Sequence, residues 1–158
     1  MTQALLAQCR DYIQNGGILA GAVFFPVVIP AHEWVDTAAV SRYVDAHRDL
    51  FFAQQLLAMI DNSGKKDSDI YKKARIDRRL FSKIRSNKAY APAKKTVIAL
   101  CLALELSREG ADLLLSSAGY SLSPADRFDL VIAFCIEYRV FDFYDINEAL
   151  EHFGFEPF

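Results

Sequence analysis

The stretch IYKKARIDRRLFSKIRSN, residues 70–87, carries apolar residues at the spacing of two short helices separated by a turn. Ile70 and Ala74 lie one helical turn apart, and Phe81 and Ile84 repeat a helical spacing after the break. Two helices joined by a turn of three to four residues can bury such side chains in one shared apolar face. The spacing therefore predicts a helix-turn-helix motif.

Positive charge is concentrated around this motif, although the chain as a whole is slightly acidic. Residues 65–95 hold twelve Lys or Arg and three Asp, a local balance of +9. The rest of the 158 residues holds six basic and seventeen acidic residues, a balance of −11. A basic face on an acidic body is typical of proteins that bind an anionic polymer.

The exposed side of the second helix supplies the candidate binding residues. In a helix-turn-helix motif this side enters the major groove of DNA, where Arg and Lys reach guanine edges while flanking basic residues neutralise phosphates. The predicted base-facing residues are Arg78, Arg79, Ser82 and Lys83. The predicted backbone-contacting residues are Lys72, Lys73, Arg75, Arg85, Lys88, Tyr90, Lys94 and Lys95. A solvated helix face without a ligand is the alternative interpretation of the base-facing set.

Three of the backbone-contacting residues carry arguments of their own. Lys94 and Lys95 open a predicted helix, where positive charge opposes the helix dipole, and a phosphate partner would relieve that conflict. Tyr90 either contacts phosphate beside Lys88 or packs under the loop, and the sequence favours neither arrangement.

The same stretch resembles the helix-turn-helix of phage-repressor-like (Xre-type) DNA-binding domains. The buried positions of that motif are occupied here by Ile70, Ala74, Ile76, Phe81 and Ile84. PAKKTVIALCLALEL, residues 92–106, is similar to the family's next helix, which opens after a proline. The resemblance covers residues 55–115 and implies an all-helical DNA-binding domain.

Two residues depart from the family pattern. Tyr71 stands where the family has a small alanine that allows close contact between helices. Arg75 stands where a glycine takes the left-handed backbone conformation, which costs an arginine about 1 kcal/mol. We therefore expect a turn that is longer or looser than the family's.

Helical spacing and capping residues predict helices along most of the chain. The predicted helices cover residues 2–14, 36–61, 68–74, 78–86, 93–104, 108–118, 124–139 and 146–153. Ser123 is the predicted N-cap of the helix at 124–139, and Asp145 with Glu148 forms a predicted capping box for the last helix. The predicted fold class is all-α: a bundle containing a helix-turn-helix, with a C-terminal helical pair and a short N-terminal extended segment.

The N-terminal region contains the apolar stretch ILAGAVFFPVVIP, residues 18–30. It is shorter than the roughly twenty apolar residues that span a bilayer, and Pro26 would interrupt a helix, so we expect no membrane partner. It fits core packing, an edge strand or an apolar arm laid on a partner subunit. The predicted regions are an N-terminal helix and arm at 1–35, a helix-turn-helix-like domain at 36–120, and a helical extension packed on it at 121–158.

The cysteines and histidines predict neither disulfides nor metal sites. Cys9, Cys101 and Cys135 lie far apart without CxxC spacing, which indicates free buried thiols in a reducing compartment, the cytoplasm. The histidines stand in separate segments without HxxxH or HxH spacing; they are His32, His47 and His152. P-loop, GxSxG and GxGxxG motifs do not occur in the sequence, so we expect no enzyme, no metal and no cofactor.

The leading hypothesis is a non-enzymatic DNA-binding transcriptional regulator of bacterial or phage-like type that works as a homodimer. Dimerisation is expected because the two ends of the chain carry more apolar residues than a minimal domain needs to close its core. Apolar residues left exposed would favour association. These residues are Val23, Phe24, Phe25, Val27, Val28, Ile29, Phe141, Phe143, Tyr144, Phe153, Phe155 and Phe158. Packing of the two ends on each other is the alternative. The rival functions are a helical protein-interaction module with a basic face and an RNA-binding protein.

Overall fold

The structure of the chain is a computed structural model that describes residues 37–46, 52–87 and 90–158. Every regular element in these ranges is an α-helix and none is a strand, which confirms the predicted all-α fold class. The helices are α1 Thr37–Ala46, α2 Phe52–Ser63, α3 Asp67–Lys73, α4 Arg78–Ser86, α5 Lys94–Leu104, α6 Arg108–Ser117, α7 Arg127–Glu137 and α8 Phe143–His152. No helix within the described ranges is long and apolar enough to cross a membrane.

The helices of the middle region agree with their predicted bounds to within one residue. Helix α4 begins and ends where the spacing predicted, because Asp77 caps its first turn. The predicted helix over 36–61 corresponds to α1 and α2, between which residues 47–51 lie outside the described part of the chain. The predicted helix at 2–14 and the predicted extended segment at 18–30 also lie outside it.

Helix α7 begins three residues later than predicted, because its N-cap is an aspartate and not Ser123. The Oδ1 atom of Asp126 accepts the backbone N–H of Phe128 at 2.8 Å and that of Asp129 at 3.2 Å. One carboxylate thus satisfies two of the free amides at the helix start. Ser123 lies in the preceding loop, where its backbone N–H donates to Asp129 Oδ2.

Helix α8 begins three residues earlier than the predicted capping box at Asp145. Asp142 is the N-cap, and its Oδ1 accepts the backbone N–H of Tyr144 at 2.7 Å. Either aspartate could cap a helix, and burial decides between them. A start at Phe143 places its ring and Ile146 three residues apart on one helical face, where both are buried.

Helix α5 forms the centre of the hydrophobic core. Its residues 97–104 are all buried, and it packs against α2, α3 and α6. Helix α6 packs in turn against α7, and α7 packs against α8. Leu100, Leu114 and Ile146 belong to one continuous apolar cluster, in which each fully buried side chain contributes about 1.5 to 3 kcal/mol. The C-terminal helices therefore share the core of the helix-turn-helix region.

Most of the C-terminal aromatic residues pack partly against one another and against the core. The Phe155 ring meets Phe128 at 5.7 Å, and the Phe158 ring meets Phe143 at 5.6 Å. Residues 153–158 fold back so that these rings cover one another and the core, leaving Tyr144 exposed. Phe141, Phe153, Phe155 and Phe158 remain partly exposed, so the C-terminal dimerisation patch stays a prediction. Its N-terminal counterpart, residues 23–29, lies outside the described part of the chain.

Candidate nucleic-acid interface

Helices α3 and α4 are joined by the four-residue turn 74–77 and bury their apolar side chains in the same core. Ile70 of α3 and Ile84 of α4 are each about 1% exposed. Tyr71 is half-buried, and its ring lies 5.6 Å from that of Phe81 at a 45° tilt. Tyr71, which stands where the predicted motif has a small residue, therefore packs its ring against Phe81 and the core.

The turn between the two helices is tight, although an arginine occupies its left-handed position. Arg75 has φ of 56°, and its backbone N–H donates to the carbonyl of Lys72 at 3.1 Å. The N–H of Ile76 donates to the carbonyl of Tyr71 at 2.9 Å, which completes a Schellman pattern. The expectation of a longer or looser turn is therefore wrong. These bonds, and one from the Arg75 guanidinium to the main-chain oxygen of Phe158, offset the backbone cost of about 1 kcal/mol.

The first half of α4 presents its polar side chains to solvent. Asp77 caps the helix, with its Oδ1 accepting the backbone N–H of Arg79 at 2.5 Å. Arg78, Arg79 and Ser82 are exposed, opposite the buried Phe81. Neither arginine forms an ion pair with any residue that the structure describes. The structure therefore brings these three predicted base-facing residues together on one accessible face.

The fourth predicted base-facing residue, Lys83, is exposed and rests on an aromatic ring. Its Nζ lies 4.1 Å from the ring centroid of Tyr90, a cation–π distance. Tyr90 is half-buried and packs against the core, and its N–H donates to the carbonyl of Asn87 at 3.0 Å. The ring of Tyr90 thus packs against the core and contacts Lys83.

One member of the predicted backbone-contacting set belongs to a surface ion cluster. Lys73 Nζ lies 2.5 Å from Glu105 Oε1, and Lys65 Nζ lies 3.5 Å from the same oxygen. The hydrogen bond from Lys73, together with the charge of both lysines, lowers the pKa of the Glu105 carboxyl. Lys72 beside it is exposed and has no ion pair within residues 52–87 and 90–158.

Arg85 has a partner within the motif. Its Nη1 donates to Oδ2 of Asp67 at the start of α3. The carboxylate of Asp67 is also well placed for the dipole of that helix. Arg85 therefore links the end of α4 to the start of α3.

Lys94 forms an ion pair with a buried carboxylate, so it is not available to bind a phosphate. Its Nζ lies 2.5 Å from Oδ2 of Asp129, which is 1% exposed. The same oxygen accepts the backbone N–H of Ser123 at 2.8 Å. Asp129 therefore supplies the negative charge that a lysine at a helix start requires, and the expected phosphate is not needed there.

Lys95 hydrogen-bonds to the segment that follows α8. Its Nζ donates to the main-chain carbonyls of Glu156 at 3.1 Å and Pro157 at 2.9 Å, and it lies 5.5 Å over the ring of Phe158. These carbonyls relieve the charge conflict at the start of α5 from within the molecule. The last member of the predicted set, Lys88, lies outside the described residues.

Sequence reasoning missed Asp129 and the returning segment as partners of the two lysines. A signal for Asp129 was present, because this acid directly precedes the apolar run LVIAFCI and begins a helix that buries most of its surface. A buried carboxylate needs a cation or several hydrogen bonds. No comparable signal marks residues 156 and 157, because they accept through backbone carbonyls, which any residue carries.

The described residues hold no cluster of three or more metal-ligating side chains. His152 is exposed with its ring against Phe153, and His32 and His47 lie outside the described part. Cys101 and Cys135 are buried and neither forms a disulfide, as predicted, whereas Cys9 lies outside the described residues. Burial raises the pKa of the Cys101 thiol to about 12, which keeps it protonated and poorly nucleophilic near neutral pH.

Comparison with protein-family models, curated proteins and solved structures gives no match to this chain. The resemblance to Xre-type domains therefore stays a prediction that depends on the residues quoted above.

Proposed function

We propose that this chain is a non-enzymatic DNA-binding transcriptional regulator that reads the major groove with α4. The observation that supports it is the contrast within the basic region. Lys73, Arg85, Lys94 and Lys95 have charged or carbonyl partners inside the molecule. The pair at the start of α4, Arg78 and Arg79, has no ion-pair partner among the described residues.

The chemistry of the α4 face suits base edges and phosphates. An arginine can donate two parallel hydrogen bonds to the O6 and N7 atoms of guanine, and a lysine can reach the same atoms. Arg78, Arg79, Ser82 and Lys83 lie within six consecutive residues, and all are exposed. The buried Phe81 and Ile84 fix the orientation of the helix, so the exposed side chains need little reorganisation to bind.

We further propose that two copies act together as a homodimer in the cytoplasm. One helix-turn-helix covers few base pairs, and pairing two units one DNA turn apart, about 34 to 36 Å, raises specificity. The apolar residues at 23–29, which lie outside the described part, are the candidate interface. The buried cysteines Cys101 and Cys135, which form no disulfide, fit a reducing compartment. If sedimentation equilibrium showed that the intact chain is a monomer, the proposed homodimer would be wrong.

A salt titration of duplex DNA binding tests the proposed function. The logarithm of the association constant should fall with the logarithm of salt concentration by about 0.9 for each phosphate engaged. Replacing both Arg78 and Arg79 by Ala should weaken binding and reduce that slope by as much as about 1.8 if both contact phosphate. Arg127→Ala is the matched control, because Arg127 is an exposed arginine on α7, away from the motif.

Three outcomes would count against the proposal. Absence of duplex binding at about 50 mM salt would favour the protein-interaction function, since nonspecific binding is strongest at low salt. Tighter binding of single-stranded RNA than of duplex DNA would favour the RNA-binding function. Weakening by Arg127→Ala of about half that of the double variant in binding free energy would show that net charge, and not the α4 face, governs binding, because Arg127→Ala removes one charge and the double variant removes two.

A further inference from the structure

A cavity of about 590 Å³ that is widely open to solvent lies where the end of α3 meets the loop between α7 and α8. Its lining includes Lys72 and Arg75 from the helix-turn-helix motif and Arg139, Phe141 and Tyr144 from the C-terminal extension. The volume is in the range of about 300 to 1,000 Å³ that is typical of small-molecule sites.

Backbone strain is concentrated at this cavity. In the described part of the chain three non-glycine residues have left-handed backbones, Arg75, Glu105 and Arg139, with φ of 56°, 58° and 56°. All three line the cavity, and they end α3, α5 and α7. By contrast, the left-handed residues that follow α2, α6 and α8 are glycines, and none of these glycines lines it.

The helix dipole does not explain this choice of residues. A cation near a helix C-terminus is favourable, but it can stand in the last turn without a left-handed backbone. Glu105 places an acid at a C-terminus, where the dipole disfavours it. Glycine would satisfy the turn at all three positions without strain. Strained positions that cluster in one cavity point to a role for their side chains there.

Positive charge remains uncompensated in the cavity. Its two acids are already engaged, since Glu105 pairs with Lys73 and Asp142 accepts the backbone N–H of Tyr144. Lys72 and Arg139 have no ion pair within the described ranges. Arg75 donates one guanidinium N–H to the main-chain oxygen of Phe158 and keeps its other N–H groups for an anion. Such side chains hold phosphate through short, charge-assisted hydrogen bonds.

Aromatic rings orient these cations and provide a stacking surface. The Arg139 guanidinium lies 5.7 Å over the Phe141 ring, and that of Arg75 lies 5.7 Å over the Phe143 ring. Tyr144 is 75% exposed, more than any other large apolar side chain in the described part. A planar ring can stack on such a tyrosine, while a guanidinium held against its own ring keeps N–H groups for an anion.

We propose that this cavity binds a small aromatic ligand carrying a phosphate, and that mononucleotides are the class that fits. Lys72, Arg75 and Arg139 bind the phosphate, and Tyr144 stacks on the base. The proposal does not depend on DNA binding by α4. It assigns Lys72 and Arg75 to this ligand and not to the DNA backbone.

Binding is tested on the full chain by NMR titration with the 5′-monophosphates of adenosine, guanosine, cytidine and uridine. At least one should bind with a Kd below about 1 mM and shift the backbone amides of Arg139 and Tyr144. Inorganic phosphate should bind at least about tenfold more weakly, because it cannot stack. Absence of saturable shifts at these amides for all four nucleotides, or equal affinity for inorganic phosphate, would overturn the proposal.

The variant Arg139→Gly separates a binding role from a structural one. Glycine relieves the left-handed backbone, so the melting temperature should rise by about 2 to 4 °C. Loss of the guanidinium should weaken nucleotide binding by about tenfold or more. Arg127→Ala is the matched control, because Arg127 lies 5.9 Å over the ring of Phe153 outside the cavity, and it should leave affinity unchanged.

A second variant keeps the proposal testable if Arg139→Gly perturbs the loop. Tyr144→Ala removes the stacking surface at an exposed position and should preserve the melting temperature while weakening nucleotide binding about tenfold. Unchanged nucleotide affinity in either variant would overturn the proposal.

Discussion

Helices α4 and α5 both begin with two consecutive basic residues of the same basic region, and the structure treats the two pairs differently. Arg78 and Arg79 at the start of α4 are exposed and have no ion pair with the described residues. Lys94 at the start of α5 pairs with a buried aspartate, and Lys95 donates to main-chain carbonyls. Basic residues at the same positions of two helices are therefore paired within the molecule in α5 and left exposed in α4.

The difference arises from what covers each helix start. A cation at a helix N-terminus opposes the dipole and favours a nearby negative group. The start of α5 lies beneath α7 and the returning segment, which supply Asp129 and two carbonyls. The start of α4 is covered by no comparable group in the described part, apart from its cap Asp77. Its two arginines therefore still favour an external anion, which supports the proposed function.

The largest expected effect that tests this comparison is on stability, at Lys94. Lys94→Ala leaves the Asp129 carboxylate buried without its cation, which should cost about 3 kcal/mol, measured by urea denaturation. Arg79→Ala should change stability by less than about 0.5 kcal/mol, because its side chain is exposed.

A rescue variant shows whether the cost comes from the buried charge. Adding Asp129→Asn to Lys94→Ala removes the uncompensated charge and keeps an oxygen that can accept the backbone N–H of Ser123. The double variant should therefore be more stable than Lys94→Ala alone. A loss below about 1 kcal/mol for Lys94→Ala would show that the pair is not a structural one.

The next effect is on DNA recognition, at Arg79. Arg79→Ala should weaken binding to the preferred site by about 1 to 3 kcal/mol and to random DNA by much less, because a base contact exists only at the right sequence. Lys95→Ala is the comparison, since Lys95 is held by main-chain carbonyls and should change neither affinity appreciably. Equal losses on both DNAs for Arg79→Ala would reduce its role to attracting phosphate.

The sequence predicted helices well where local signals decide them. The bounds of α4 follow from Asp77 and from the spacing of Phe81 and Ile84, which depend only on neighbouring residues. The starts of α7 and α8 were misplaced, because more than one residue near each could cap the helix. Tertiary burial, such as that of Phe143, selects among equivalent caps and leaves no local mark.

The sequence predicted which residues make up the candidate site, but not which of them are bound to other residues of the chain. The sequence indicated a basic helix-turn-helix, and the structure places Arg78, Arg79 and Ser82 on one exposed face. It could not show that Lys94 and Lys95 are engaged, because their partners lie 35 and about 60 residues away along the chain. The cavity was equally hidden, since it requires the end of α3 to meet the α7–α8 loop.

The smallest expected effect concerns Lys72 and Lys73, adjacent lysines that repeat the contrast at the end of α3. Lys73 hydrogen-bonds Glu105 and lowers the pKa of its carboxyl, whereas Lys72 has no ion pair within the described ranges. A lowered pKa means that the ionised carboxylate stabilises the folded state. This contribution is present in full above about pH 5 and is lost as the pH falls through the lowered pKa of Glu105.

Lys73→Ala should therefore reduce the free energy of unfolding at neutral pH by only about 0.2 to 1 kcal/mol, since both side chains are more than a third exposed and solvent screens the pair. The difference from the parent protein should vanish at acidic pH, once Glu105 is protonated in both. Lys72→Ala is the matched control and should follow the parent protein at every pH in urea denaturation. A deficit in Lys73→Ala that persists unchanged at acidic pH would show that packing of the lysine stem, and not its charge on Glu105, stabilises the end of α3.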